Sequence, residues 1–328
     1  MKAFKITAFI ILGLIVLVML GPRMAEPVLN KELPVIGGSV EQYVTRIEAA
    51  EKVRPGNEAK IVWANDSLKT PTEYVFLYLH GFSASRREGY PVNENVPKLL
   101  GANAYLARLA SHGLVTDNPL IDMSPDRLYE SAKQALIIAS QLGQKVVVIG
   151  TSTGGTLALM LAADFPDKVN SLVLYSPNIQ IKQKSAQFLS MPWGLQIARL
   201  NFGGDFRVTD DDPNGEICKY WYCRYRAEGP VYLQQLVASR MSRSTFEKVK
   251  CPVFLGYYYK DEQHQDQTVE VKAALRMFEQ LGTTANLKRA VAFPEAGAHV
   301  IACDLTSGSV ADVQDATLSF AREVIGIQ

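Results

Sequence analysis

Histidine and cysteine are scarce in this chain, with four of each in 328 residues. The cysteines, Cys218, Cys223, Cys251 and Cys303, make no C-x-x-C pair, and the histidines, His80, His112, His264 and His299, are dispersed. That spacing offers no zinc-type ligand set, so neither a metal nor a cofactor is expected. Net charge is nearly absent too: 34 Lys and Arg stand against 33 Asp and Glu, for a formal +1. Without a basic cluster interleaved with aromatics, no nucleic-acid partner is expected. An apolar run of membrane-spanning length is also missing. The uncharged stretch from Ile6 to Leu20 would reach roughly 22 Å as a helix, short of a roughly 30 Å hydrocarbon core.

That stretch still carries information. Lys2 and Lys5 precede it, and neither an A-x-A-like site nor a lipid-accepting Cys follows. We read residues 1–24 as a short uncleaved membrane anchor, with a cleaved signal segment and secretion as the alternative. Lysines ahead of the stretch favour a cytoplasmic N-terminus, with the rest of the chain on the periplasmic or extracellular side. Export permits disulfides. Cys218 and Cys223 are near enough to pair if the loop between them turns, while Cys251 and Cys303 read as free buried thiols.

What is present is a globular composition, 48% hydrophobic and 20% charged. Residues 25–58 read as a linker and peripheral element. From 59 to 328, strand and helix patterns alternate. Residues 73–79, 103–109, 146–149, 171–175, 252–259 and 290–293 read as strands. A helix starts at the cap Ser124 with Pro125 and Asp126 in its first turn and stops at Gly143. Further helices are expected over 269–281 and near 310–325. The alternation implies right-handed crossovers and an α/β, doubly wound, mostly parallel sheet. Residues 177–250 interrupt it with Met191-Pro192-Trp193-Gly194, the acidic turn Asp210-Asp211-Asp212-Pro213 and Tyr220-Trp221-Tyr222. An insertion of that length reads as a helical cap over the sheet edge.

Gly150-Thr151-Ser152-Thr153-Gly154 lies between an apolar strand and a small-residue helix. Strand, sharp turn and helix around G-x-S-x-G form a nucleophile elbow, in which only glycines fit two positions either side of the serine. An acyl-transfer serine also needs a base, an orienting acid and oxyanion donors. His299, in a loop just after the last expected strand, is placed to be the base. His80 lies in the first loop, and His112 and His264 read as structural or exposed.

His80-Gly81-Phe82, the serine pentapeptide and Gly297-Ala298-His299, in that order, resemble the α/β-hydrolase fold over about residues 60–328. The subgroup most resembled is the monoglyceride-lipase and lysophospholipase-like serine esterases with a helical lid. Ala107–Gly113 resembles that group's D-L-P-G-H-G loop, with Ala and Ser where the group has Pro and Gly. The resemblance implies Ser152 as nucleophile, His299 as base, and the backbone N–H groups of Phe82 and Thr153 as the oxyanion hole. For the acid, Asp261 and Asp266 are both candidates, and the group's D-x-x-V register favours Asp266. The implied partner is a small-molecule ester, lipid-like if the aromatic cap and the anchor reflect its substrate. An aminopeptidase on the same fold would need a carboxylate for a free amino terminus, for which Asp210, Asp211 or Asp212 is available. A membrane-tethered binding protein would lack a triad member, and none is missing.

Overall fold

The computed structural model describes residues 19–209, 212 and 214–328, with Thr7, Phe9, Gly13, Val16 and Leu17 ahead of them. Most of the apolar N-terminal stretch, and Asp210 and Asp211 of the acidic turn, therefore lie outside the described residues. Among the described residues no helix is long and apolar enough to cross a membrane.

Seven strands form the central sheet: β1 (Lys60–Val62), β2 (Thr72–Leu79), β3 (Asn103–Leu106), β4 (Gly143–Thr151), β5 (Val169–Tyr175), β8 (Val253–Tyr257) and β9 (Lys288–Ala292). Their spatial order is β1-β3-β2-β4-β5-β8-β9. Only β1 runs antiparallel to its neighbour. The two central strands are apolar on both faces because helices cover both. Val75, Leu77, Val146 and Val148 enter one apolar cluster; Phe76, Tyr78, Val147 and Ile149 enter the other. Helices α3 (Pro125–Leu142), α4 (Thr153–Asp164) and α9 (Val271–Gln280) fill the first cluster. Helices α2 (Val92–Leu99) and α10 (Val310–Phe320) fill the second. Burying each such Val, Ile or Leu contributes about 1.5–3 kcal/mol.

Local signals set the ends of α3. The Ser124 side chain accepts the Arg127 N–H, Pro125 needs no amide partner at the first position, and Gly143 ends the run. Other boundaries differ from the sequence expectation. The strand expected over 103–109 stops at Leu106, because the chain bends until the Leu109 N–H meets His80 Nε2 at 3.0 Å. The last helix gives way to a π turn over Ala321–Ile325. Helix α2 and strand β1 carry no clear period: α2 is short and contains Pro97, and β1 has three residues.

Residues 25–58 are more than a linker. Helix α1 (Val40–Ala49) begins at the cap Ser39. Ahead of it the chain runs without regular structure as a strap. Pro22 accepts the Trp193 N–H at 2.8 Å, and Gln235 reaches the Ala25 carbonyl at 3.3 Å. Asp126 accepts the N–H groups of Val28 and Leu29, both at 2.8 Å. Buried Lys133 donates to the carbonyls of Asn30 at 2.8 Å and Glu32 at 2.5 Å.

Between β5 and β8 the insertion holds α5 (Gly194–Phe202), β6 (Phe206–Val208), α6 (Glu216–Tyr220), β7 (Arg224–Arg226), α7 (Glu228–Arg240) and α8 (Arg243–Phe246). It is not wholly helical: β6 and β7 pair antiparallel. Its last part returns to the body, with Leu233, Leu236, Val237 and Phe246 in the main core. Cys218 and Cys223 are joined by a disulfide within it. Cys251 and Cys303 are free, half-buried and buried respectively.

Candidate active site

The loops that matter leave the carboxyl ends of parallel strands, where open α/β sheets bind ligands. Ser152 follows β4, His80-Gly81-Phe82 follows β2, Asp266 lies beyond β8 and His299 beyond β9.

Ser152 sits at φ +53° and ψ −115°, in the left-handed half of backbone space that L-residues avoid. The turn is held from both sides. The Ser152 N–H donates to the Tyr175 carbonyl at 3.0 Å, and its own carbonyl accepts from Gly155, Thr156 and Asn178 at 2.9–3.2 Å. The glycines are steric requirements. A Cβ on Gly154 would stand 1.9 Å from the Leu79 carbonyl oxygen, and one on Gly150 2.5 Å from the Gly154 oxygen. The backbone is thus forced to lift the serine above the sheet edge, where it keeps 6% of its surface exposed.

His299 and Asp266 meet. The His299 Nδ1–H donates to Asp266 Oδ2 at 2.5 Å. The other oxygen of Asp266 accepts the N–H groups of Thr268 at 2.7 Å and Val269 at 3.0 Å. Burial alone would raise the Asp266 carboxyl, but the His299 charge and these donors hold it below the usual aspartate value. Burial would likewise depress His299; the Asp266 charge and hydrogen bond, with a smaller push from Glu88, lift it above the usual imidazole value. Its Nε2 is buried and has no hydrogen-bond partner among the described residues. A buried ring nitrogen on a residue that lines one cavity with a serine, with its opposite nitrogen fixed by a carboxylate, is arranged to receive a proton.

Asp261 goes elsewhere. It is exposed, accepts from the Gln263 and His264 N–H groups, and contacts His264 Nδ1 at 2.9 Å. The two remaining histidines are buried and neutral. The Leu109 N–H donates to His80 Nε2, so His80 Nδ1 donates to the Gly81 carbonyl at 2.9 Å. Ser83 N–H donates to His112 Nε2 at 3.1 Å, and His112 Nδ1 donates to Ala110 at 2.8 Å. Burial holds His80 well below the usual imidazole value and His112 at about 4. Both histidines tie the loop carrying Phe82 to the loop over 109–112. The N–H of Thr153 opens α4, one of the first-turn donors that a helix leaves without an internal acceptor.

A cavity of about 730 Å³ joins these parts. Ser152, His299, Phe82 and Glu88 line its core side, and Phe188, Ile197, Phe202 and Val208 its cap side. Several of these cap residues also face solvent, as do neighbouring Met191 and Leu200, so the mouth is rimmed by apolar side chains. Glu88 had no motif to mark it; its role emerges only from its burial against Gly81. Of the acidic turn, Asp212 is the described member, and it accepts the Asn214 N–H of its own turn at 3.0 Å. Among the described residues, His, Cys, Asp and Glu nowhere gather in threes around a possible metal. Burial pushes the Cys303 thiol up to about 11 and Cys251 to about 12, far from thiolate chemistry.

Known proteins share this architecture. The metagenome-derived lipolytic enzymes LipS and LipT give a structure superposing with a TM-score of 0.66 at 16% identity, over 82% of this chain and 99% of that one. The monoacylglycerol lipase of Paleococcus ferrophilus gives 0.59 at 16% identity, over 82% and 98%. A curated relative, the biotin biosynthesis bifunctional protein BioHC of Teredinibacter turnerae, is 24% identical over 152 residues, 46% of this chain. The chain spans only 26% of that protein's length. At these identities the structural likeness speaks for the fold. The sequence profile of the alpha/beta hydrolase family matches residues 76–317, a stretch from β2 into α10 that holds the elbow serine, Asp266 and His299. With that match over most of its length, the chain belongs to the alpha/beta hydrolase family.

Proposed function

We propose that this protein is a serine hydrolase that cleaves carboxylic esters through an acyl-enzyme on Ser152. The observation that carries the reading is the buried, unpartnered His299 Nε2 in one cavity with Ser152, its Nδ1 held by Asp266. Nε2 takes the Ser152 hydroxyl proton as Oγ bonds to the ester carbonyl carbon, and the carbonyl oxygen becomes negative. The N–H groups of Phe82 and Thr153 receive that charge; a lost oxyanion donor typically costs about 100- to 1,000-fold in turnover. The imidazolium returns the proton to the leaving alkoxide, and the alcohol departs. Water, deprotonated by the same nitrogen, then releases the acid and restores Ser152.

The apolar rim and cap wall support a lipophilic or acylglycerol-like substrate. We place the catalytic domain outside the cytoplasm, tethered through the N-terminal segment. The lysines before that segment and the Cys218–Cys223 disulfide support this placement. An amino-terminal peptidase would need a carboxylate free to hold an ammonium group. Glu88, the carboxylate beside Ser152, already accepts from Gly81 and Tyr78.

The test is the initial rate on nitrophenyl esters of rising acyl length, for wild type and Ser152→Ala. Turnover by wild type and its near-complete loss in the variant is the expected result, with the preferred length reporting the cavity. Equal rates for both proteins, or no hydrolysis by either, would refute the reading.

A further inference from the structure

Glu88 lines the cavity, yet the triad leaves it unused. It is 2% exposed and sits in the 3₁₀ turn over Arg86–Gly89, just after the loop that carries Phe82. Its Oε2 accepts the Gly81 N–H at 2.5 Å and the Tyr78 hydroxyl at 3.4 Å. From the cap, Trp221 lines the same cavity and lies close enough to Glu88 to favour its ionised form. A methyl group added to Gly81 would stand 2.7 Å from Glu88 Oε1 and 3.1 Å from Ser152 Cβ, so carboxylate and serine flank the same glycine.

This placement has a mechanical reading. The Gly81 peptide immediately precedes the peptide whose N–H belongs to Phe82. His80 fixes the Gly81 carbonyl and His112 fixes the Ser83 N–H, at 2.9 and 3.1 Å. The Gly81 N–H, on the peptide before, is a further handle on this loop, and Glu88 holds it. We infer that Glu88 is a positioning residue of the hydrolytic reaction: its carboxylate locks the Gly81 peptide and so keeps the Phe82 N–H aimed at the developing oxyanion. The inference rests on the ester-hydrolase reading for its kinetic consequence, but the lock itself is a property of the fold.

A weaker acceptor would do less. Hydrogen bonds to an ionised carboxylate are roughly twice as strong as neutral ones. Burial pushes the Glu88 carboxyl up to about 7, against the donors from Gly81 and Tyr78, nearby Trp221 and the His299 charge, all of which favour the ionised form. The other titratable groups facing it are Tyr78 and Cys303, both held protonated by burial.

The experiment uses the full chain as wild type, Glu88→Ala and Glu88→Gln. Amide hydrogen exchange is followed over residues 78–85, and kcat and KM are measured on nitrophenyl butyrate from pH 6 to 9. In Glu88→Ala, exchange at the loop should quicken about tenfold or more. In the same variant kcat should fall about 10- to 100-fold with KM within about threefold, because the oxyanion contact is made in the transition state. Glu88→Gln keeps an oxygen that accepts the Gly81 N–H, and should recover both quantities to within about threefold of wild type. It should also move the acid limb of kcat/KM downward, since His299 loses a neighbouring negative charge. Unchanged exchange in Glu88→Ala overturns the inference whatever happens to kcat. A Gln variant as impaired as Ala in exchange and kcat overturns it too. If Glu88→Ala does not fold, Glu88→Asp, one methylene shorter, replaces it with the same expected direction. A wild type that hydrolyses no ester refutes the proposed function, and exchange then decides the lock by itself.

Discussion

Replacing Glu88 by Gln should change how stability depends on pH, a consequence separable from catalysis. In the folded protein this carboxyl holds its proton up to about pH 7, against 4.5 in an open chain. Each tenfold change in proton affinity is worth about 1.4 kcal/mol, so keeping Glu88 ionised in its buried site costs about 3 kcal/mol. The sign follows from proton counting. Between about 4.5 and 7 the folded state binds more protons than the unfolded state, so stability is lost as pH rises through that window. Glutamine does not titrate. The stability of Glu88→Gln relative to wild type should therefore rise by about 3 kcal/mol from pH 4.5 to pH 8. His80 and His112 are common to both proteins and cancel in the difference. His299 faces Glu88, and each charge favours the other, so the two titrations are coupled in the comparison of the two proteins. The assay is urea unfolding followed by fluorescence at pH 5, 6, 7 and 8, extrapolated to water for both proteins. A constant offset arises from exchanging a carboxyl for an amide, and only the change with pH is diagnostic. Parallel curves, differing by the same amount at pH 5 and pH 8, would refute the reasoning and mean that Glu88 titrates as an ordinary surface glutamate.

Asp266→Asn should lower kcat about 10³- to 10⁴-fold, because the amide no longer holds the His299 tautomer or its charge. In wild type the acid limb of kcat/KM should lie above the usual imidazole value of 6.5, with activity lost as pH falls through it. In the Asn variant the residual activity should show that limb displaced downward; an unmoved limb would refute the assignment. Gly154→Ala should fail to give soluble folded protein or lose more than about 3 kcal/mol, since its methyl would meet the Leu79 carbonyl at 1.9 Å. A melting temperature equal to wild type would count against the elbow's steric account. Cys223→Ser should cost about 2 kcal/mol or less, the loop between Cys218 and Cys223 being short. It should raise KM more than it lowers kcat, because Arg54 grips the Cys218 and Trp221 carbonyls in the cap and not the triad. Steady-state kinetics with and without reductant checks this.

The core strands were legible because their chemistry is local. Val146–Ile149 is apolar throughout, and α3 announces both ends through Ser124, Pro125 and Gly143. The serine elbow was legible because glycine spacing there is dictated by backbone contact. The choice between Asp261 and Asp266 turned on register alone; in the structure only Asp266 reaches His299, across 33 positions of chain. Glu88 could not be read at all. It bears no pattern, and its meaning lies in proximity to Gly81 and in the Trp221 indole arriving from far along the chain. The strap was missed for a related reason, as an extended segment fixed by carbonyls has no period. The β6–β7 pair in the cap was hidden by the shortness of its strands, three residues each.

The strap bears on how this enzyme would sort its substrates. A cap joined to its body only at two crossings can swing like a door. Here residues 22–25 hold Trp193 and Gln235 of the insertion, while residues 28–32 hold Asp126 and Lys133 of α3. Elsewhere in the insertion the Tyr222 N–H donates to the Ser83 carbonyl and the Arg226 N–H to the Pro119 carbonyl, at 2.8 and 3.0 Å. Swinging the cap would break these bonds together, at about 0.5–1.5 kcal/mol each. The chamber above Ser152 is therefore closer to a fixed mould than to a jaw. Its selectivity would come from the fixed shape of its walls more than from closure around each substrate.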